Sequence, residues 1–531
     1  MDRSVDQVRA DYDAVPYDSH PFPQTAPGHM AAVAHLFGLS TPKVSTARVL
    51  EIGCSAGGNL IPFAAHHPLA RVTGIDLSQV QIEKGRQHVK ALGLHNVELR
   101  RADIANMDLS TLGQFDFIIC HGVYSWVPET VQDGILSAFQ QLLSDDGIAH
   151  VSYNVYPGWK AKEIVRDAML LRGGDQATPA EKLSYARGMI DFMEQVAPED
   201  SVIGKALADF RSQSINFKDY YVLHEYLESF NAPCYFLKMV SKANDKHLSY
   251  LADVEPRSMF AVNYGSKIAE PLLKECGHSQ TLVEQYLDFF NNRTFRQSLF
   301  VRSGRAQQIR YQLDRDRQRD FHFAAWLPRH DNAAGLDESE QTYGDQTTSI
   351  VTSEPVVKAA LDTLNFRWPA TISRPELDGS VAAAMAAAGF ALPDNHNARV
   401  DDLLEHLIMI GQIRFRLEPV RLQAISTTLR LEDAARVMPE LGRPEEAYTF
   451  NAWHEELQLS PVDRFLVPLL DGTHSRDDLV DAIVVLARQD VIRYERDGRR
   501  ITDGAELRNA VAEEVDGLPH RLVAMKLLCA Q

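Results

Sequence analysis

Polar and apolar positions change character several times along this chain. Between residue 46 and about 156, β-type runs alternate with helical ones. "ARVLEIG", "RVTGID", "VELRRAD", "FDFIICHG" and "GIAHVSYN" read as strands, while "QVQIEKGRQHVKALGL" and "PETVQDGILSAFQQLLSDD" carry apolar residues at helical spacing. Strands alternating with helices predict a parallel α/β sheet covered on both faces. From 160 to about 300 the pattern is almost entirely helical, through "KEIVRDAMLL", "EKLSYARGMIDFMEQV", "DYYVLHEYLESF" and "LVEQYLDFFNNR". From 300 to 350 it is mixed: "LFVRS" and "DFHFAAWL" look like strands, and "NAAGLDESEQTYGDQTTS" like a polar connector or hairpin tip. The remainder alternates short helices and short β runs. "RPELDG" with "DDLLEHLIMIGQIRFRL", and "RFLVPLLDGTHSRDDLVDAIVV" with "DVIRYERDG", suggest two helix–turn–helix–strand units of winged-helix type. Ahead of the first strand lies a proline- and aromatic-rich lead, "YDAVPYDSHPFPQTAPGHM", then a short apolar helix, "MAAVAHLFGL".

Length and charge narrow the classes. A chain of 531 residues exceeds one core, so about two to four domains are expected. The net charge of −18 disfavours a phosphate-backbone partner and leaves a basic one, such as a lysine-bearing protein surface, open. Cys54, Cys120, Cys234, Cys276 and Cys529 are scattered, with no CxxC pair, so neither a disulfide framework nor a zinc site is suggested and a reducing cytoplasm is expected. The N-terminus is polar and acidic, unlike a signal peptide, and no apolar run approaches the roughly 18 residues of a membrane span.

The chemistry begins at "VLEIGCSAGGNL", a strand running into a glycine turn and a helix. A dinucleotide fingerprint would have glycine two places after Gly53, where Ser55 stands, and a P-loop would end in Gly-Lys-Ser or Gly-Lys-Thr. Neither is present, and no basic residue lies close by to meet phosphate. Glu51 precedes Gly53 instead. A carboxylate there repels phosphate and suits a cationic ligand. S-adenosylmethionine, with an α-ammonium, a sulfonium and no phosphate, fits, and E-x-G-x-x-x-G, ending at Gly57, matches the first motif of class I methyltransferases. Asp76 ends the second strand, 23 residues beyond Gly53, where an acid can accept ribose hydroxyls. Asp103 ends the third, placed for the adenine amino group. Cys54, Asn59, Leu77 and Ile104 complete the expected cofactor shell, with His121 at the end of the fourth strand.

These stretches, with "CHGVYSWVP", "VSYNVYPGW" and "YYVLHEYLESFNAPCYFLKMVSKANDKHLSYLADVEP", give the chain a resemblance to bacterial class I methyltransferases that carry a methyltransferase regulatory domain. That family includes the rickettsial protein-lysine methyltransferases acting on an outer-membrane protein. The resemblance implies S-adenosylmethionine-dependent methylation of protein lysine. It also implies an order of parts: a lid segment (1–45), a Rossmann-like methyltransferase domain (46–160), a helical regulatory domain (161–300), a connector (301–350) and a winged-helix-like region (351–531).

Transfer from a sulfonium is an in-line displacement that needs alignment above all. A lysine acceptor must arrive neutral although its ordinary pKa is roughly 10.4, so apolar or aromatic walls are expected around it. The candidates are Tyr124 and Trp126, then Tyr153, Asn154, Tyr156 and Trp159, with Tyr17 and Phe22 closing the other side. Tyr124 and Trp126 are expected to line the acceptor channel and Asn154 to offer a polar contact. His121 is a conceivable base, although a histidine at a buried strand end is more often structural. The lead is expected to form an ordered lid over the cofactor through Tyr17 and Gln24.

Other signals are set aside. "HEYLE" (224–228) lacks the final histidine of a zinc motif, and the adjacent His66 and His67 cannot share a metal on one helix face. No metal is expected. The basic run "RSGRAQQIRYQLDRDRQR" reads as a solvated or interdomain salt-bridge face, and the winged-helix-like region as a protein-docking module rather than a DNA reader. A small-molecule methyltransferase, or a catalytically silent scaffold with the same fold, are the alternatives.

Overall fold

The computed structural model describes residues 19–174, 176, 178–214, 219–228, 230–330, 335–345, 348–442, 447–496, 499–501 and 504–529. After helix α1 (Pro27–Leu36), the chain runs β1 (Arg48–Ile52), α2 (Leu60–His66), β2 (Arg71–Asp76), α3 (Gln79–Ala91), β3 (Val97–Arg101), β4 (Phe115–Cys120), α4 (Glu129–Leu142) and β5 (Leu143–Asn154). Next come α5 (Gly158–Gly173), α6 (Pro179–Val196), α7 (Val202–Ser214), α8 (Asp219–Tyr226), α9 (Phe236–Asp245), β6 (Leu248–Asp253), α10 (Ser266–Cys276), α11 (Gln280–Phe290) and β7 (Phe295–Arg302).

One sheet organises the first 302 residues, in the order β3-β2-β1-β4-β5-β7-β6. β1 to β5 are mutually parallel, and β7 then pairs antiparallel with both β5 and β6. The stretch from 160 to 300 is therefore not all helix, as its pattern suggested. β6 and β7 are buried on both faces, so they show no polar alternation, and a short apolar run cannot be told from a helical segment by period alone. The segment from β6 to β7 thus completes the sheet that β1 to β5 begin. Arg296 on β7, fully buried, bonds Asp288 (2.8 Å) and Glu284 (2.9 Å) of α11, fastening that helix to the strand.

The two sheet faces differ. α4 and α9 cover one, with Ile135, Phe139, Phe236 and Met239 packed on Leu50, Ile118 and Phe300. The other is covered by α1 together with the C-terminal half: Val33 and Phe37 share a core with Phe117, Leu299, Phe323, Leu361 and Leu404. A helix apolar on all sides belongs in a core. Among the described residues ahead of β1, Ser19 and Phe22 bond to the glycine turn and the helix after it, whereas α1 itself is part of this core. α5 to α8 form a separate helical cluster around Val165, Met169, Ile190 and Phe210.

β8 (His322–Ala324) comes from the expected connector but is the central strand of a small sheet with β9 (Ile372–Ser373) and β10 (Arg414–Arg416). It packs with α12 (Pro355–Arg367), α13 (Arg374–Ala387) and α14 (His396–Ile410) into the first winged-helix-like unit. Ser373 caps α13 through a capping box with Glu376. The polar stretch before it forms a hairpin, Gln341–Gly344 with Ser349–Thr352. The second unit holds the pair β11 (Tyr448–Phe450) and β12 (Glu456–Gln458), α15 (Arg476–Arg488), a hairpin of Glu495–Arg496 with Arg499–Arg500, and a long final helix, α16 (Gly504–Ala524). The arginines of the basic run tie segments together: Arg305 donates to the carbonyls of Ser40 and Asp146, and Arg315 pairs with Asp402. Among the described residues, no helix is long and apolar enough to cross a membrane, and no group of three or more His, Cys, Asp or Glu side chains could hold a metal ion.

Candidate active site

A cavity of about 610 Å³ opens at the carboxyl ends of β1, β2, β3 and β4, where ligands bind in open α/β sheets. That volume suits a small-molecule ligand. The glycine turn forms its floor. The amides of Gly53 and Cys54 both donate to the Ile75 carbonyl (2.8 and 3.1 Å), pinning the turn to β2. Gly53 has φ 79°, and a Cβ there would lie 2.3 Å from Val123 Cγ2, so only glycine fits. Gly57, also at positive φ, shapes the turn from below and does not line the cavity.

Glu51 is buried in the wall. Its Oε1 accepts from Asn59 Nδ2 (2.8 Å), and its Oε2 is buried with no hydrogen-bond partner. Burial pushes the carboxyl up to about 8, the Asn59 bond opposing this and the Asp76 charge adding to it. An ammonium beside Oε2 would supply the missing partner and favour the ionised form. Asp76 accepts from the amides of Ser55 and Ser78 (2.8 Å each), which fixes its carboxylate in the cavity wall. Asp103 accepts from the Ala105 amide (2.9 Å) and from Asn106 Nδ2 (2.7 Å). Asp76, Asp103, Cys54, Leu77 and Ile104 all line the cavity. Burial pushes the Cys54 thiol well up, so it is a neutral packing group there.

The lead meets this floor directly. Gly58 N donates to Ser19 Oγ (2.8 Å), Phe22 N donates to Asn59 Oδ1 (3.0 Å), and the hydroxyl of Thr25 lies 3.0 Å from the same oxygen. Ser19, His20 and Phe22 line the cavity, whereas Gln24 does not reach it, and Tyr17 lies outside the described residues. The second winged-helix-like unit reaches in as well. His454, held at φ 62°, donates from Nε2 to Asn59 Oδ1 (2.8 Å), and the Tyr448 hydroxyl donates to the Ser19 carbonyl (3.0 Å).

The far end is aromatic. His121 lies between Phe22 (ring centroids 4.2 Å apart) and Phe295 (6.1 Å), with its Nδ1 buried and unpartnered. Burial lowers its pKa to about 3, so it is a neutral imidazole and a poor base. Trp126 and Trp159 meet edge to face at 6.1 Å, and both line the cavity with Asn154, whose side chain donates to Asn231 Oδ1 (3.0 Å). Tyr124 does not line it. Its ring is buried beneath, edge to Tyr153, because it shares a tight 3-10 turn with Trp126 and three residues per turn cannot send both side chains the same way. Tyr153 is turned into the sheet and meets Ser298 Oγ at 2.9 Å, and Tyr156 donates to Glu163 outside the cavity. Lys162, Tyr221, Glu225, Thr294 and Phe295, none of them expected from the sequence, also line the cavity. Glu225 lies inside the "HEYLE" stretch set aside as a failed metal motif.

Three family models match in succession: a methyltransferase domain over residues 49–147, a predicted methyltransferase regulatory domain over 218–302, and the C-terminal winged helix domain of PKMT over 433–527. RP028, an uncharacterised protein of Rickettsia prowazekii, is 37% identical over 241 residues, 45% of this chain and 96% of its own length. The chain belongs to the class I S-adenosylmethionine-dependent methyltransferases with a methyltransferase regulatory domain. Another relative in the family, RP789 of the same organism, is 29% identical over 507 residues, 94% of this chain and 90% of its own. The structure of PKMT2 from Rickettsia typhi in complex with AdoHcy superposes with a TM-score of 0.84 at 28% identity, over 96% of this methyltransferase and all of that chain. This likeness takes in the helical middle and both winged-helix-like units.

Proposed function

We propose that this methyltransferase transfers methyl groups from S-adenosylmethionine to lysine side chains of a protein substrate. The observation that carries this reading is the likeness to PKMT2 over nearly the whole chain. The cavity residues fit the cofactor. The orphaned Glu51 Oε2 suits an α-ammonium, Gly53 leaves room for close approach, and the glycine turn carries no lysine or arginine that would favour a phosphate. S-adenosylmethionine supplies the electrophilic methyl group on a sulfonium.

The chain's own residues hold, orient and desolvate. In this reading Glu51 and the Gly53–Cys54 turn hold the methionine end, Asp76 the ribose hydroxyls, and Asp103 with Ile104 the adenine. Asn59 orients Glu51. His121, neutral and wedged between Phe22 and Phe295, closes a water-poor wall and takes no proton. Trp126 and Trp159 face the acceptor, and Asn154 offers its amide there. Deprotonation of the acceptor amine then relies on desolvation between aromatic faces. The proposed compartment is the cytoplasm, as expected from five scattered, unpaired cysteines.

The test is incubation of the full chain with methyl-labelled S-adenosylmethionine and a cell lysate, followed by mass spectrometry of labelled bands. Methyl-lysine in protein supports the reading. Label confined to small molecules moves the acceptor class to metabolites, and transfer to nothing favours a silent scaffold.

A further inference from the structure

At the acceptor end of the cavity one side-chain pair stands apart from the cofactor residues. Lys162 on α5 and Glu225 on α8 both line the wall, with Lys162 Nζ 3.8 Å from Glu225 Oε1 and 5.2 Å from the centre of the Trp159 ring. A carboxylate and an indole face together form a cation seat. We propose that Glu225 and the face of Trp159 form the seat on which the acceptor lysine first docks as an ammonium, before it moves on between the aromatic faces and loses its proton there, and that Lys162 holds this seat between turnovers. The inference rests on the lysine-methylation reading above and adds the residues that recognise the acceptor.

Three observations support it. The cavity's other carboxylates, Glu51, Asp76 and Asp103, belong to the strand ends and the glycine turn, and each is bonded there. Glu225 alone among the lining acids is contributed by the helical segment. Its contact with Lys162 is a charge contact longer than a hydrogen bond, and both side chains keep about a fifth of their surface open (20% and 19%). Such a pair can be exchanged for another cation of the same kind. Both groups are also ill-placed as ions: burial holds Lys162 below and Glu225 above their ordinary values. A seat that the chain fills with its own lysine is built for lysine chemistry, and Lys162 swinging toward the cavity mouth leaves Glu225 for the incoming amine.

The experiment uses the full chain saturated with S-adenosylhomocysteine. N-acetyl-lysine methylamide is titrated in and binding read from tryptophan fluorescence, with the norleucine counterpart as the uncharged control. The lysine compound is expected to bind and the norleucine compound not to. Glu225→Gln is expected to weaken the lysine compound about tenfold, and Lys162→Met to tighten it about threefold, while S-adenosylhomocysteine affinity stays as in the parent chain and reports an intact fold. Equal binding of the two compounds, no effect of Glu225→Gln, or weakening by Lys162→Met as large as that by Glu225→Gln would overturn the seat, the last because the pair would then be a structural latch. Failure of the parent reading looks different. Glu225-dependent binding without methyl-lysine in any protein removes lysine methylation and leaves the seat. Methyl-lysine formed with the same KM by Glu225→Gln removes the seat and leaves the methylation.

Discussion

The two ends of the cavity are built by opposite means. At the proposed cofactor end, hydrogen bonds of 2.8 to 3.1 Å lock a glycine turn, two strand-end carboxylates and a buried glutamate within one stretch of the chain. At the acceptor end, rings and a loosely paired lysine and glutamate come from α5, α8, β7 and the turn after β4. One end is rigid and polar, the other aromatic and exchangeable. A constant cofactor needs the first and a variable protein acceptor the second. If that division holds, substitutions at each end should separate cofactor affinity from acceptor recognition.

The largest effect is expected at Gly58. A Cβ there would lie 2.1 Å from the Ser19 carbonyl, which is backbone and cannot turn aside. Gly58→Val should dislodge the lead and weaken S-adenosylhomocysteine binding about 100-fold by calorimetry. An unchanged affinity would remove the lead from the cofactor end altogether.

Glu51 comes next. With its carboxyl raised to about 8 in the ligand-free chain, it is mostly protonated at neutral pH. Cofactor affinity is expected to rise about tenfold per unit as pH climbs toward 8 if only the ionised form pairs with the ammonium. The ligand-free chain should show the reverse trend. A raised carboxyl pKa gives stability that is complete below the unfolded value and is lost as pH rises through the folded one. The buried His29, His121, His150 and His454, lowered to between about 3 and 4, act in the opposite sense but only below about 6.5. Between pH 6.5 and 8 the part of the fall due to Glu51 amounts to about 2 kcal/mol, and it is this part that a Glu51 variant removes. Glu51→Gln should flatten both curves and cost about tenfold in affinity at pH 8. Two unflattened curves would mean that the carboxylate faces no cation.

At the acceptor end, Trp159→Ala is expected to raise KM for a protein acceptor by about fivefold to tenfold through the lost cation–π and edge-to-face contacts, with cofactor affinity within about twofold of the parent. A matching loss of cofactor affinity would show that the ends are one structure and not two.

The same division explains what could be read from the sequence. Glu51, Gly53, Asp76 and Asp103 sit at strand ends, and in an open parallel sheet a strand end is already a position in space. The acceptor wall had no such shortcut. Trp126 faces the cavity while Tyr124, two places earlier, faces the core, a choice made by a tight turn that periodicity does not resolve. Lys162 and Glu225 meet only because α5 and α8 pack together, and Glu225 sat in a stretch legible only as a motif that failed. β6 and β7 were hidden for a related reason: buried on both faces, they lack the alternation that marks a strand. In the second winged-helix-like unit nothing in the spacing of "NAWHEEL" announces that His454 meets Asn59 from 395 residues away.

Among the described residues, that bond joins the C-terminal half to the rigid end through a side chain that itself holds Glu51. Asn59 Oδ1 meets three donors, from Phe22, Thr25 and His454, and this crowd leaves its NH₂ turned toward Glu51. Loss of one donor should loosen the amide without freeing it, since the other two remain. His454→Ala is therefore expected to weaken S-adenosylhomocysteine binding by about fivefold, the worth of a single buried hydrogen bond. His454→Gln, whose side-chain amide can donate in place of Nε2–H, should recover most of it. The pH dependence of binding separates this from general damage. With Asn59 less firmly bonded to Glu51, the carboxyl loses the contact that opposes its burial, so the rise in affinity should move to higher pH in His454→Ala and return in His454→Gln. A uniform loss with an unshifted pH profile would make His454 a packing residue and would leave the winged-helix-like unit without influence on the cofactor end.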